Sequence, residues 1–167
     1  MTKLTQHFSL EEMYYSDTAL AMKINNKPNA VETAHLEELC TKILEPLRVK
    51  IGLPIKVNSG YRGPKLNAAI AGSSKTSAHQ YGYAADIVCP AYGDAKEFCK
   101  YVVKFLNDNK IAFDQVLYEY DSWVHVGIRN GKGLQRKQVP WDEGGLLNLA
   151  QTLESAAGFT AKPSRWW

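Results

Sequence analysis

Between Ser77 and Asp86 the chain reads S-A-H-Q-Y-G-Y-A-A-D. A His is followed seven positions later by an Asp, with a Gly between them and small residues beside the carboxylate. A turn at Gly82 would bring the imidazole of His79 and the carboxylate of Asp86 onto one metal ion. A third ligand stands downstream in W-V-H-V-G, where His125 lies in a short apolar run. Two His and one carboxylate leave a fourth zinc position open, the composition of a catalytic rather than a structural site. Taken singly, His79 and Asp86 also fit a surface turn with an incidental Asp, and His125 fits a hydrogen-bonded strand histidine. The co-occurrence of all three with Arg62 favours ligation. His7 and His35 have no partner at ligand spacing and read as ordinary surface or helix histidines.

The elements that must position these residues follow from capping and periodicity. Ser9 with Glu12 is a capping-box pattern opening a short helix over 10–16. Asn29 precedes a longer helix in which Val31, Leu36, Leu39, Ile43 and Leu47 recur at helical spacing, and Pro46 should end or kink it. Ile55 to Val57 alternates as a short strand before the turn S-G-Y-R-G-P, and Pro64 suits the first turn of a helix through Ala71. Residues 72–76 read as a loop leading into the metal motif. A strand over 83–88 ends before Pro90. A helix begins at Asp94, buries Phe98, Val102 and Leu106, and closes at the N-D-N triplet. Two apolar runs, 113–119 and 123–128, flank Tyr120-Asp121-Ser122 as a hairpin. Leu146, Leu149 and Leu153 suggest a terminal helix before a K-P-S-R-W-W end. With no repeat and no interdomain linker, this order predicts an α+β domain, a small antiparallel β-sheet with helices packed on it.

At 167 residues the chain has the length of one domain, and a net charge of +3 without any Lys/Arg run is too weak to argue for nucleic acid, so no nucleic-acid partner is expected. No stretch reaches membrane-spanning length. The N-terminus lacks the apolar segment of a signal peptide, so synthesis in the cytoplasm is expected. Cys40, Cys89 and Cys99 lack C-x-x-C spacing and read as buried apolar residues rather than disulfides or zinc ligands.

Ser77, His79, Gly82, Ala84 and Asp86 match S-x-H-x-x-G-x-A-x-D at every fixed position. In this the chain resembles the zinc D-Ala-D-Ala carboxypeptidase and dipeptidase-like peptidases, related to the hedgehog signalling domains. The upstream S-G-Y-R and the downstream F-D-Q-V-L-Y-E…W-V-H-V look like the phage endolysin branch. The resemblance covers roughly 8–139, which makes 1–139 the expected catalytic domain and 140–167 a C-terminal extension.

The resemblance implies Zn²⁺ held by His79, Asp86 and His125, and a substrate among the peptide stems of bacterial peptidoglycan. The expected enzyme is a monomeric endolysin that acts at the cell wall after release, or from a virion. For the general base two carboxylates compete. Along one straight strand Glu119 would lie about 20 Å from His125. A hairpin turning at 120–122 instead sets it diagonal to His125 on the same face, at roughly 7–8 Å between backbones. Asp121 then occupies the turn tip and is the reserve. The resemblance also points to Glu119, although better-known relatives carry their Glu three residues before the His, where this chain has Ser122.

Arg62 would stabilise a developing oxyanion or hold a substrate carboxylate, or is a surface ion-pairing residue. Ser77 and Tyr61 are candidate substrate contacts, with Ser77 alternatively a loop cap. Trp123 is a candidate pocket wall or hairpin packing residue. D,D-carboxypeptidase and L-Ala-D-Glu or D-Ala endopeptidase activities would use the same residues. The alternative of another class is a zinc-stabilised, non-catalytic wall-binding or virion module.

Overall fold

A computed structural model of the chain describes residues 1–140. The expected C-terminal helix around Leu146, Leu149 and Leu153 lies outside the described residues. Four strands form one antiparallel sheet in the order β1-β2-β4-β3: β1 (Lys56–Ser59), β2 (Ala84–Val88), β3 (Gln115–Glu119) and β4 (Trp123–Gly127). Helices pack on this sheet, so the fold is α+β.

Ser9 caps α1 (Leu10–Tyr14), its hydroxyl accepting from the Glu12 N–H. A helix absent from the sequence reading follows, α2 (Asp17–Ala21), capped by Ser16. Asn29 opens α3 (Ala30–Leu39) with a full capping box, because Glu32 returns a bond to the Asn29 N–H. Pro46 neither ends nor breaks this helix. One π-helical turn (Cys40–Leu44) leads into α4 (Glu45–Ile51), which carries Pro46 at its first turn. The π turn, in which the Glu45 N–H bonds to the Cys40 carbonyl five residues back, carries the helix past the missing N–H of the proline. Leu36, Leu39, Ile43, Leu44 and Leu47 are fully buried along the continuous rod.

Pro64 opens α5 (Pro64–Ala69), two residues shorter than the pattern suggested. Asp94 caps α6 (Ala95–Asp108), which packs on β3 and β4 through Phe98, Val102, Phe105 and Leu106. The three cysteines are free and buried, and burial pushes the Cys40 thiol up to about 12. No helix among the described residues is long and apolar enough to cross a membrane.

After β4 the chain doubles back along the outer edge of β3. The Val116 N–H donates to the Gln138 carbonyl and the Gln138 N–H to that of Asp114. The Arg136 guanidinium grips the fully buried Asp114 carboxylate at 2.7 and 2.6 Å. A strand edge that would otherwise be open is thereby covered.

Candidate metal centre and cleft

Register decides which side chains meet. On β2 and β4, Asp86 pairs directly with His125, and across the β3–β4 hairpin Glu119 pairs with Trp123. Directly opposed residues in an antiparallel pair share a face, and alternate residues along a strand return to it. Asp86, His125, Trp123 and Glu119 therefore project from one face, joined by Ser59 of β1 opposite Asp86. Val116, Val124 and Val126 turn to the other face and are completely buried. Tyr120 and Asp121 adopt left-handed φ angles of 51° and 53°, and this tight turn brings Glu119 back toward β4.

His79 arrives from outside the sheet, on a single 3₁₀ turn (Ala78–Tyr81). Ser77 caps that turn, its hydroxyl accepting from the His79 N–H at 3.3 Å. Gly82 closes it at φ 72°, and a Cβ there would come within 2.7 Å of the Glu32 carbonyl oxygen. Both constraints explain a glycine at the centre of the motif. His35, expected to be ordinary, braces the same turn. Its Nδ1 lies 2.7 Å from the Tyr81 carbonyl and its Nε2 3.3 Å from the Tyr83 hydroxyl.

The three expected ligands converge. His79 Nε2 and His125 Nδ1 lie 3.2 and 2.9 Å from the same Asp86 oxygen, and 3.2 Å from each other. One ligand atom from each residue falls within 4.8 Å of the others, and all three residues are buried. The Nδ1 of His79 donates to the Gly60 carbonyl at 2.7 Å, which leaves Nε2 unprotonated and facing the cluster.

Electrostatics suit a cation. Burial and the Arg62 charge depress the His79 pKa to about 4, so its imidazole is neutral near pH 7. Burial opposes ionisation of Asp86, but both histidines outweigh it and keep the carboxyl well below its usual range. His125 is held above its usual value, since Asp86 and Glu119 outweigh the burial that opposes its charge. A buried carboxylate crowded by two imidazoles is a donor set that a divalent ion satisfies.

Around this cluster lies an open cleft of about 1410 Å³. Glu119 lines it, its carboxylate accepting from the Trp123 indole N–H at 3.0 Å. Burial raises the Glu119 pKa, with the His125 charge pulling the other way. Asp121 sits exposed at the hairpin tip and outside the cleft lining.

Arg62 reaches from the β1–α5 turn toward the same cluster. One guanidinium nitrogen is 3.4 Å from the Ser77 hydroxyl and another 4.0 Å from Asp86. Ser77 thus both caps the turn and touches Arg62. Tyr61 reaches the cleft but is only 7% exposed and belongs to the apolar core. Trp123 stands half-buried on the wall, its ring 5.0 Å from that of Tyr120.

Three further contacts had no sequence signal. Asn26 is buried with three hydrogen bonds to backbone. Arg129 pairs with Glu38 of α3 and sits over the Tyr83 ring, fastening the segment after β4 beside the His79 turn. His7 pairs with Glu45 at 2.6 Å, away from the cleft. All three join positions far apart in the chain.

Residues 6–127 match the model of a family described as Peptidase M15. Shorter similarities occur to one of the subunits of glutamyl-tRNA(Gln) amidotransferase. The protein of Jannaschia sp. (strain CCS1) is 63% identical over 47 residues, 26% of this chain and 10% of that protein. That of Dinoroseobacter shibae is 66% identical over 35 residues, 21% of this chain and 7% of that protein. The chain thus spans a tenth or less of the length of these two relatives. No solved structure matches the chain.

Proposed function

We propose that this chain, which belongs to the peptidase M15 family, is a zinc peptidase that cuts the peptide stems of bacterial peptidoglycan in the manner of a phage endolysin. The observation that carries the reading is the convergence of His79, Asp86 and His125 on one point of an open cleft. The donor set fits zinc: two imidazoles, one of them oriented by a backbone carbonyl, and one carboxylate, with room left for a substrate group. Bound there, zinc supplies a Lewis acid that polarises a carbonyl and makes water acidic near neutral pH.

The chain's own residues do the rest. Glu119, on the face it shares with His125, accepts a proton from the attacking water and returns it to the departing amine. Its burial raises the carboxyl's proton affinity toward the range useful for such a shuttle. The Trp123 indole N–H holds the carboxylate in one orientation. Arg62, partly buried and tethered by Ser77, offers positive charge to a developing oxyanion or to a substrate carboxylate.

The open cleft accommodates an extended peptide, and its Lys56 and Lys132 suit an anionic wall polymer. Action at the cell wall, after release or from a virion, belongs to this reading. The amidotransferase similarities cover too little of either partner to bring that activity here.

The deciding experiment is digestion of purified peptidoglycan by zinc-loaded protein, with and without chelator, followed by mass spectrometry of the fragments. Chelator-sensitive release is expected, and fragment masses distinguish carboxypeptidase from endopeptidase cleavage. Cleavage that persists after zinc is stripped would overturn the mechanism. Zinc-loaded protein that leaves the wall intact would favour a binding module.

A further inference from the structure

The turn between β1 and α5 performs two tasks at the metal centre. Its Gly60 carbonyl accepts from His79 Nδ1, and its Arg62 carries the nearby positive charge. Arg62 also donates its backbone N–H to the His79 carbonyl at 3.1 Å. This turn is not part of a regular element, so something must hold it.

We propose that Asn26 is a positioning residue of this site, whose carboxamide locks the 60–63 turn and through it the orientation of His79 and Arg62. The inference rests on the reading of His79, Asp86 and His125 as zinc ligands. Asn26 lies between α2 and α3, is 6% exposed, and does not line the cleft. Its Nδ2 donates to the Tyr14 carbonyl at 2.8 Å and to the Tyr61 carbonyl at 2.9 Å. Its Oδ1 accepts from the Gly63 N–H at 2.8 Å.

These bonds take the residue before Arg62 and the residue after it, so they fix the backbone that aims the guanidinium. The bond to Tyr14 ties the turn to the end of α1, beside the Tyr61 N–H to Met13 carbonyl bond of 2.7 Å. Only a carboxamide of this length meets the set. It offers two donors to two carbonyls and one acceptor to one N–H. A carboxylate would face two carbonyl oxygens, and an aliphatic side chain would leave three backbone groups without partners, two of them in a buried setting.

Loss of the carboxamide removes the bonds at Tyr61 and Gly63, so Gly60 and Arg62 can shift and the Gly60 bond that orients His79 toward the ion is weakened. Groups that orient a metal-bound histidine are worth roughly 10- to 100-fold in metal affinity. Zinc affinity measured by chelator competition, on the whole chain, is the primary readout. Asn26→Ala should bind zinc at least tenfold more weakly. Asn26→Ser, a milder change used if the alanine variant does not fold, should move the same way.

Leu47→Ala, in α4 of the core, serves as a matched loss of thermal stability and should leave zinc affinity within twofold. If folded Asn26 variants bind zinc as tightly as the unaltered protein, or if Leu47→Ala weakens binding equally, the positioning role is overturned. If the unaltered protein itself binds no zinc, the zinc reading falls and takes the inference with it. The two failures are therefore separable.

Discussion

Gly60→Ala tests the coupling of fold to metal site at a single atom. Gly60 passes so close to α1 that an added Cβ would stand 2.2 Å from the Met13 carbonyl oxygen and 3.0 Å from its carbon. Both obstacles are backbone, and Met13 is fully buried, so no flexible side chain can move aside. The turn must retreat by about 1 Å to reach ordinary van der Waals separation. Retreat breaks the Tyr61 N–H to Met13 bond, worth about 1 kcal/mol, and adds an overpacking cost of about 1–3 kcal/mol. The sum, about 2–4 kcal/mol, corresponds to a Tm lower by roughly 4–16 °C for a domain of this size. Because the Gly60 carbonyl orients His79, zinc affinity should fall by roughly 10- to 100-fold as well. Thermal denaturation of the metal-free protein and chelator competition measure the two effects separately. Gly52→Ala is the control. Gly52 has a positive φ, but a Cβ there meets nothing within 4 Å. It should lose stability by about 1–2 kcal/mol from backbone strain alone and keep its zinc affinity. A Gly60→Ala protein within about 1 °C and twofold in zinc affinity of the unaltered protein would refute the reasoning.

Glu119→Gln should lower kcat for peptidoglycan hydrolysis by roughly 10²- to 10⁴-fold while zinc affinity stays within twofold, whereas Asp121→Asn should retain most activity. A larger loss in the Asp121 variant would reverse their roles. Trp123→Phe removes a donor that favours the ionised Glu119, so the acidic limb of the kcat/KM profile should move to higher pH. A limb that stays put or moves down contradicts that assignment. Glu38 supplies a test in acid. Its hydrogen bond from Arg129 depresses its carboxyl pKa from 4.5 to about 2, so its contribution to stability is complete above pH 4.5 and is lost as pH falls toward 2. In that window Tm should decline more steeply for the unaltered protein than for Glu38→Gln, and parallel declines would count against the pair.

Local spacing made much of this molecule readable in advance. Ser9, Asn29 and Asp94 mark helix starts because a cap acts on N–H groups two or three residues away, and Pro64 marks one because its fixed φ suits the first helical turn. The hairpin was recoverable because two apolar runs flank three turn residues, and its register then set Glu119 and His125 on one face. The motif Ser77–Asp86 offered two candidate ligands for the same reason: a capped turn and a glycine act over a few residues. Pro46 shows the boundary of such reading. Its ring forbids one hydrogen bond, but whether the helix stops or absorbs it through a π turn depends on the core that buries Leu36 through Leu47 on both sides.

The contacts that hold the site in place were beyond that reach. Asn26 meets Gly63 across 37 positions and Arg129 meets Glu38 across 91. Neither pairing leaves a periodicity in the chain, since a polar side chain bonded to distant backbone or to one distant partner obeys no repeat. His35 looked like any helix histidine until the 3₁₀ turn was laid against α3. The sequence by itself thus determined most of the elements, the candidate ligands and the side of the hairpin that bears Glu119. Only the tertiary structure decided what orients His79, what aims Arg62 and where the cleft opens, because each depends on single hydrogen bonds that exist only once the chain has closed on itself.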